Sequence, residues 1–152
     1  SSETALPLLI ERLQKFGVPK HIVTFVLPTG YSFNLDGGTL YSSLAVVFIA
    51  QVYGIPMDLG QQFLLVLTLM LATKGMAAVP GAVLITIAGT VAAFGLPVEG
   101  VALILGVDRI LDMGRTATNV IGNTVATIVV ARWEKALPDD VLKVAYTQNY
   151  DE

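Results

Sequence analysis

Apolar residues dominate this chain in long runs, and glycine, proline or short polar groups separate one run from the next. Residues 4–16 show amphipathic helical spacing, with Pro7 in the first turn and Gly17 after the end. The same signals predict helices over residues 20–33, 39–53, 58–72, 82–94 and 99–135, with Asp58 as the cap of the fourth. The pattern therefore predicts an all-helical chain.

Two interruptions fall inside apolar runs. Residues 74–80 separate two apolar arms, 63–71 and 83–94, that are each too short to cross a bilayer. This indicates a re-entrant helical hairpin, whose irregular tip must be buried or line a cavity. The other interruption, residues 34–38, leaves backbone carbonyls without helical hydrogen-bond partners next to Asp36. Such carbonyls and a carboxylate together form the ligand set that a hard cation needs. An extramembrane loop at 34–38 is the alternative, because the flanking apolar runs are about 14 and 17 residues long.

Polar side chains form a stripe along the last predicted helix. Its members are spaced by 4, 3, 4 and 4 residues and are Asp108, Asp112, Arg115, Asn119 and Asn123. With Arg109, four ionised groups lie in this apolar stretch, and together they would oppose membrane insertion by roughly 10 kcal/mol. They must therefore pair, face water or bind a ligand that is itself charged at several points.

Composition favours a membrane protein over a very apolar soluble core. The chain is 54% hydrophobic and 14% charged, whereas soluble domains are about 25% charged. Residues 37–57, 75–98 and 116–131 carry no charge, and the first two windows reach the roughly 20 residues that a spanning helix needs. The small net charge of −3, without a Lys/Arg cluster, gives no reason to expect a nucleic acid partner. The absence of cysteine excludes disulfides, thiolate catalysis and zinc sites of the cysteine type.

The two ends of the sequence carry weaker signals. The N-terminus lacks a start methionine and the basic region of a signal peptide, so we expect a piece of a longer protein. His21, the single histidine, is expected at a helix start near an interface. Arg132, Lys135 and Lys143 favour a cytoplasmic C-terminus, and residues 136–152 read as a polar tail.

Four motifs in order carry a family resemblance. They are Ser1-Ser2-Glu3-Thr4-Ala5-Leu6-Pro7, Asn34-Leu35-Asp36-Gly37, Lys74-Gly75-Met76-Ala77-Ala78-Val79-Pro80-Gly81 and Asp108-Arg109-Ile110-Leu111-Asp112-Met113-Gly114-Arg115-Thr116. Together they resemble the C-terminal half of the dicarboxylate/amino acid:cation symporters, the glutamate transporter family. Within that family, residues 29–36, Arg109 and Asn123 are similar to the bacterial proton/glutamate symporters.

The resemblance implies an all-α membrane protein and most of the substrate-carrying domain of an elevator transporter. Residues 1–135 would belong to that domain, and 136–152 would be a cytoplasmic polar tail. Residues 1–16 would be the distal arm of a first hairpin, 21–53 a broken helix, 58–94 a second hairpin that serves as the gate, and 99–135 the last helix. The full-length protein would be a multi-pass homotrimer in contact with lipid, in the inner (plasma) membrane of a bacterium. The piece alone, without the preceding helices, is not expected to transport.

The resemblance also implies a substrate site. Arg115 would bind the side-chain carboxylate of the substrate, Asp112 its ammonium group and Asn119 its α-carboxylate. The implied substrate-binding residues are Ser2, Thr39, Val79, Pro80, Gly81, Asp112, Arg115, Thr116 and Asn119. An intrahelical ion pair of Arg115 with Asp112 or Asp108 is the alternative. Gly38 departs from the family, which usually has a hydroxyl residue there, and Thr39 is the candidate to replace that contact.

Cation-binding or proton-coupling positions carry over less cleanly. They are Gly30, Ser32, Asn34, Asp36, Asp108 and Asn123, with sodium possible at Asp36, Asn34 and Asp108. Asn123 stands where sodium-coupled members have an acid, which favours protons over sodium as the coupling ion. Proton coupling needs a carboxylate that changes charge, and burial raises carboxylate pKa values enough to allow this. Asp36, Asp108 and Asp112 are the candidates, and no organic cofactor is expected.

The leading functional hypothesis is symport of glutamate or aspartate with protons or sodium. A C4-dicarboxylate symporter of the same family is the close alternative, because such a carrier needs no acid at Asp112. An anion-conducting pore is a further alternative, since the stripe could line a wet path. An enzyme is disfavoured, because no nucleophile, metal motif or histidine accompanies Asp108 and Asp112.

Overall fold

The computed structural model describes residues 2–33, 35–74 and 81–147. Within these ranges every regular element is helical, which confirms the predicted fold class. Short 3-10 helices cover Ser2–Ala5 and Val98–Gly100. The α-helices are α1 (Leu6–Lys15), α2 (Lys20–Phe33), α3 (Asp36–Val52), α4 (Leu59–Ala72), α5 (Ala82–Ala93), α6 (Val101–Trp133) and α7 (Asp139–Thr147).

Helices α2 and α3 are two halves of a broken rod that lies along α6. A Cβ added to Gly30 of α2 would overlap the Asn123 side chain, and the Gly37 N–H of α3 bonds to Asn119. Farther along, Tyr41 bonds to Asp108. Rising residue numbers in α2 and α3 thus meet falling numbers in α6, so both halves run antiparallel to it. The break between the halves faces the polar stripe.

The break is narrower than the sequence predicts. We expected helix to resume at residue 39, but α3 begins at Asp36, and Leu35 has non-helical torsions of φ −101° and ψ 57°. An acid in the first turn of a helix is favoured by the positive end of the helix dipole. Gly37 and Gly38 lie within the first turn of α3. At Gly37 the lack of a side chain allows α3 to pack closely against α6 and does not mark a turn.

Two apolar clusters support the rod at either end. One joins α3 to α4 and α5 and includes Ile49, Leu65, Leu69 and Ile87, each fully buried. The other joins α1, α2 and the end of α6 around residues such as Leu27. Because each cluster holds one half of the rod, α2 is anchored to α1 and the end of α6, whereas α3 is anchored to α4 and α5.

Helices α4 and α5 occupy the two segments predicted as the arms of the second hairpin. The Asp58 side chain accepts from the Gln61 N–H and the Gln61 side chain accepts from the Asp58 N–H, which forms a capping box at the start of α4. Gly81, with φ 86°, precedes α5 and adopts a left-handed conformation that glycine tolerates without strain. Residues 75–80, with the predicted tip contacts at Val79 and Pro80, lie outside the described residues.

The segment after α6 differs from the expected polar tail. It contains α7, and Leu137 before that helix is buried among the residues of the α1–α2 cluster, where Val141 and Leu142 also pack. Arg132 fastens this segment, because it bonds to the Leu137 carbonyl at 2.7 Å and pairs with Asp139 at 2.7 Å. The mixed charges of this segment led to the prediction of a polar tail, although its apolar residues form one face of a short helix.

The outer surface is unusually apolar. The segment Lys20–Val52, which contains α2, the break and α3, is long and apolar enough by length and composition to cross a membrane. Large apolar side chains stand exposed on several helices, including Leu59 at 83%, Ile85 at 76% and Trp133 at 78%. Exposed apolar area on this scale marks contact with lipid or with other protein segments.

Candidate functional site

The polar stripe occupies one face of α6, as its spacing predicts, and the structure places this face against the break. Asp108, Asp112 and Arg115 are half-buried, whereas Asn119 and Asn123 are buried. Their neighbours on the other side of α6 are exposed and include Arg109, Ile110 and Met113. The helix therefore separates one buried polar face from a mostly apolar outer face.

Arg115 occupies the centre of this face. One terminal nitrogen, Nη2, donates to Asp112 Oδ1, so the intrahelical ion pair that the sequence allows is present. The guanidinium also lies over the Tyr41 ring, 5.4 Å from its centroid, which is cation–π distance. The other terminal nitrogen, Nη1, is buried and has no hydrogen-bond partner among the described residues. One carboxylate therefore does not satisfy this guanidinium.

Tyr41 is a site residue that sequence reasoning missed. Its hydroxyl donates to Asp108 Oδ1 at 2.7 Å, while its ring supports Arg115. The one available signal was its position four residues after Gly37, which places both on the same face of α3. Tyr41 thereby connects the acid at one end of the stripe with the guanidinium in the middle.

Asn119 joins the stripe to the start of α3. Its side-chain Oδ1 accepts the Gly37 N–H at 2.8 Å, in a buried hydrogen bond. The N–H groups in the first turn of a helix have no partner within the helix, so this bond satisfies one of them. It leaves the Asn119 NH₂ group as the donor that can act on a carboxylate oxygen. Thr116, between Asn119 and Asp112, is half-buried.

Gly37 sets the distance between α3 and Arg115. A Cβ there would overlap the Arg115 backbone carbonyl, which cannot rotate away, whereas a Cβ at Gly38 would meet only Leu35 Cβ at 3.8 Å. Gly37→Ala in the full-length protein should therefore cost about 1–3 kcal/mol of stability through overpacking. Gly38→Ala, the matched control, should instead stabilise α3 by about 0.5–1 kcal/mol.

Thermal unfolding of the two purified variants in detergent would measure this difference. We expect a lower midpoint temperature for Gly37→Ala and an equal or higher midpoint for Gly38→Ala. Equal midpoints for the two variants would contradict the close packing of α3 on Arg115.

The expected cation residues are only partly assembled. Gly30 approaches Asn123 closely, while Ser32 and Asp36 are exposed at the ends of α2 and α3. Across the described ranges, no group of three or more His, Cys, Asp and Glu side chains could hold a metal ion. Asn34 lies outside those ranges, as does the side chain of Ser2. The sodium site at Asp36, Asn34 and Asp108 stays a prediction.

The end of α4 reaches the break through Thr73 and Lys74, which the sequence analysis did not select as site residues. The hydroxyls of Thr73 and Thr39 lie 3.0 Å apart, so one donates to the other. The Lys74 ammonium donates to the carbonyl of Phe33, the last residue of α2. The end of α4 is thereby attached to both halves of the broken rod. Thr39, the expected substitute for the hydroxyl missing at Gly38, also lies within 3.3 Å of the Leu35 carbonyl.

Comparison with known proteins agrees with this architecture. Residues 1–133 match the family described as the sodium:dicarboxylate symporter family. The chain belongs to that family. This match confirms the family resemblance carried by the four motifs. Sodium:dicarboxylate symporters are membrane transport proteins and not enzymes.

Curated relatives support the same placement. The chain is 57% identical over 134 residues to the proton/sodium-glutamate symport protein of Bacillus caldotenax, covering 88% of this chain and 32% of the relative. It is 55% identical to the proton/glutamate-aspartate symporter of Escherichia coli K12, covering 88% of this chain and 31% of the relative. It is also 53% identical to a C4-dicarboxylate transport protein of Xanthomonas campestris pv. campestris (strain B100), covering 95% and 33%. The chain thus spans about a third of the length of these relatives.

Proposed function

We propose that the full-length protein containing this chain is a secondary active symporter of acidic amino acids, glutamate or aspartate. The observation that carries the proposal concerns the two terminal nitrogens of Arg115. Nη2 is paired with Asp112, whereas Nη1 is buried and has no hydrogen-bond partner among the described residues. A buried unsatisfied donor costs about 1–3 kcal/mol, and more when it is charged. A carboxylate of the substrate would satisfy it, since a guanidinium presents donors in a fork that matches a carboxylate.

Neighbouring groups complete the proposed substrate site. Asp112 offers a carboxylate one turn from Arg115, and the amide of Asn119 offers donors one turn beyond. Two substrate carboxylates and one ammonium therefore each find a group of suitable charge or hydrogen-bonding type along a single helix face. The names of the two glutamate-transporting relatives support this assignment.

A C4-dicarboxylate symporter is the second candidate, supported by the name of the Xanthomonas relative. The presence of Asp112 favours amino acids, because its negative charge would repel a second carboxylate but attract an ammonium. Competition between labelled glutamate and unlabelled succinate for the purified full-length protein would test this preference. We expect glutamate to bind more tightly.

We further propose that the protein works in the membrane as a homotrimer by the elevator mechanism of its family. The second hairpin, α4 to α5, would act as the gate, which its attachment to both sides of the break supports. The apolar outer surface supports contact with lipid and with the rest of the protein, in the bacterial inner membrane. Accumulation of substrate against its own gradient in proteoliposomes would contradict a simple anion pore, which cannot drive uphill movement.

Protons are the proposed coupling ion, with sodium as the alternative. Asn123 is buried beside Gly30 and offers an amide where a sodium-coupled member has an acid. Uptake at fixed membrane potential should therefore rise with an inward proton gradient and persist in sodium-free buffer. Asn123→Asp should increase sodium dependence by supplying a charged oxygen ligand.

The matched control for this substitution is Gln51→Glu, which makes the same change from amide to acid at an exposed position near the end of α3. It should leave the ion dependence unchanged. Wild-type uptake that vanishes without sodium and ignores the proton gradient would refute proton coupling but leave the substrate assignment standing.

A further inference from the structure

The carbonyl end of α2 meets a positive charge from the second hairpin. Helix α2 ends at Phe33, and the Phe33 carbonyl is one of the last four of that helix, which lack partners within it. These carbonyls form the negative end of the helix dipole, where a cation is favoured. The Lys74 ammonium donates to this carbonyl across 41 positions of sequence.

Lys74 is fixed at this place from a second direction. The preceding residue, Thr73, is fully buried and bonds to Thr39 in the first turns of α3. The two contacts together place the hairpin on both sides of the break. Broken helices of transporters use such half-helix carbonyl ends to coordinate dissolved cations. In this chain the group observed there is a lysine ammonium.

We propose that the Lys74 ammonium is a built-in cation that holds the second hairpin on the carbonyl end of α2, the kind of helix end that coordinates a dissolved cation in other transporters. This inference rests on the proposed function only in taking the hairpin as a moving part. It predicts that the hairpin closes in sodium-free buffer, because the positive charge at the α2 end is covalently attached to the hairpin itself.

Cysteine accessibility gives a direct measure of hairpin closure. The chain contains no cysteine, so Thr73→Cys introduces a single thiol within it at a fully buried position. The thiol keeps a weak donor for Thr39, and every variant compared carries it, so the loss of the hydroxyl affects all the rates alike. In the full-length protein, with any cysteine outside this chain replaced by serine, the thiol should react slowly with a maleimide while the hairpin is closed. The rate should be the same with and without sodium.

On this Thr73→Cys background, Lys74→Met should speed the reaction about fivefold in sodium-free buffer, as expected for a charge at an exposed helix end. That factor corresponds to about 1 kcal/mol at 25 °C. Sodium should slow the reaction again, because the vacated carbonyl end can then bind it. Lys74→Arg should keep the slow rate, whereas Lys74→Gln, which keeps a donor without the charge, should resemble Lys74→Met.

Lys143→Met is the matched control, because it removes an exposed lysine from α7, which is not part of the second hairpin. It should leave the rate unchanged, and gel filtration would confirm that every variant compared is folded. An unchanged rate in Lys74→Met would overturn the attachment. Faster labelling that sodium does not reverse would overturn the equivalence between Lys74 and a dissolved cation.

The assay separates this inference from the proposed substrate. If Lys74→Met opens the hairpin reversibly but the protein binds no acidic amino acid, the inference stands and the proposed function fails. If glutamate uptake is confirmed but Lys74→Met labels at the original rate, the proposed function stands and the inference fails.

Discussion

Arg115→Cys should abolish measurable binding of glutamate and aspartate to the full-length protein. The guanidinium is the positive group of the buried face, and its Nη1 is the donor without a partner among the described residues. Removing one member of a buried charge pair costs about 3–5 kcal/mol, which corresponds to a loss of at least a hundredfold in affinity. Binding of small neutral amino acids should be retained or gained, because their side chains present no carboxylate.

Arg109→Cys is the matched control for this substitution. Arg109 lies on the same helix but is exposed, and it belongs to the outer face rather than the stripe. Its replacement should change glutamate affinity by less than about threefold, as expected for a surface substitution. Isothermal titration with glutamate, aspartate and alanine would compare the two variants. Unchanged glutamate affinity in Arg115→Cys would refute the assigned role.

Asp112→Ser should shift the preference from glutamate towards dicarboxylates such as succinate by tenfold or more. With glutamate bound, the variant would leave the ammonium buried without a countercharge, which costs several kcal/mol. With succinate bound, the variant loses a repulsion instead. The ion pair of Asp112 with Arg115 would also disappear, so both terminal nitrogens of Arg115 could bind a carboxylate of succinate.

Asp112→Asn separates charge from hydrogen bonding at this position, because it keeps an oxygen acceptor without the negative charge. It should shift the preference in the same direction as Asp112→Ser. Asp140→Ser, on the exposed side of α7, is the control and should leave the ratio as in the wild type. Competition of glutamate and succinate for one labelled ligand would measure the ratio. A constant ratio in all three variants would exclude Asp112 from ammonium binding.

Local sequence signals were sufficient to locate most helices. The start of α4 follows from Asp58 and Gln61, which form their capping box within four residues. The end of α1 follows from Gly17, whose φ of 102° is available to glycine at little cost. The stripe on α6 follows from helical periodicity alone, because residues three and four apart share one face.

The boundaries that failed depend on distant contacts. Helix was expected to resume at residue 39, but α3 begins at Asp36, since Gly37 packs against Arg115 and its N–H bonds to Asn119. The expected polar tail contains α7, whose apolar residues meet a cluster built by α1, α2 and α6. Glycine predicts a turn, and mixed charge predicts an exposed segment, only where no residue distant in sequence packs against that position.

The sequence by itself determined the helical class, the breaks in the apolar runs and the polar stripe that holds Asp112, Arg115 and Asn119. Each of these depends on residues within one or two helical turns, so periodicity and local breakers were enough. Only the tertiary structure decided what the stripe meets. The Tyr41–Asp108, Gly37–Asn119 and Lys74–Phe33 contacts join residues 67, 82 and 41 positions apart. Such pairings arise from how whole helices pack, and no local spacing in a single sequence specifies them.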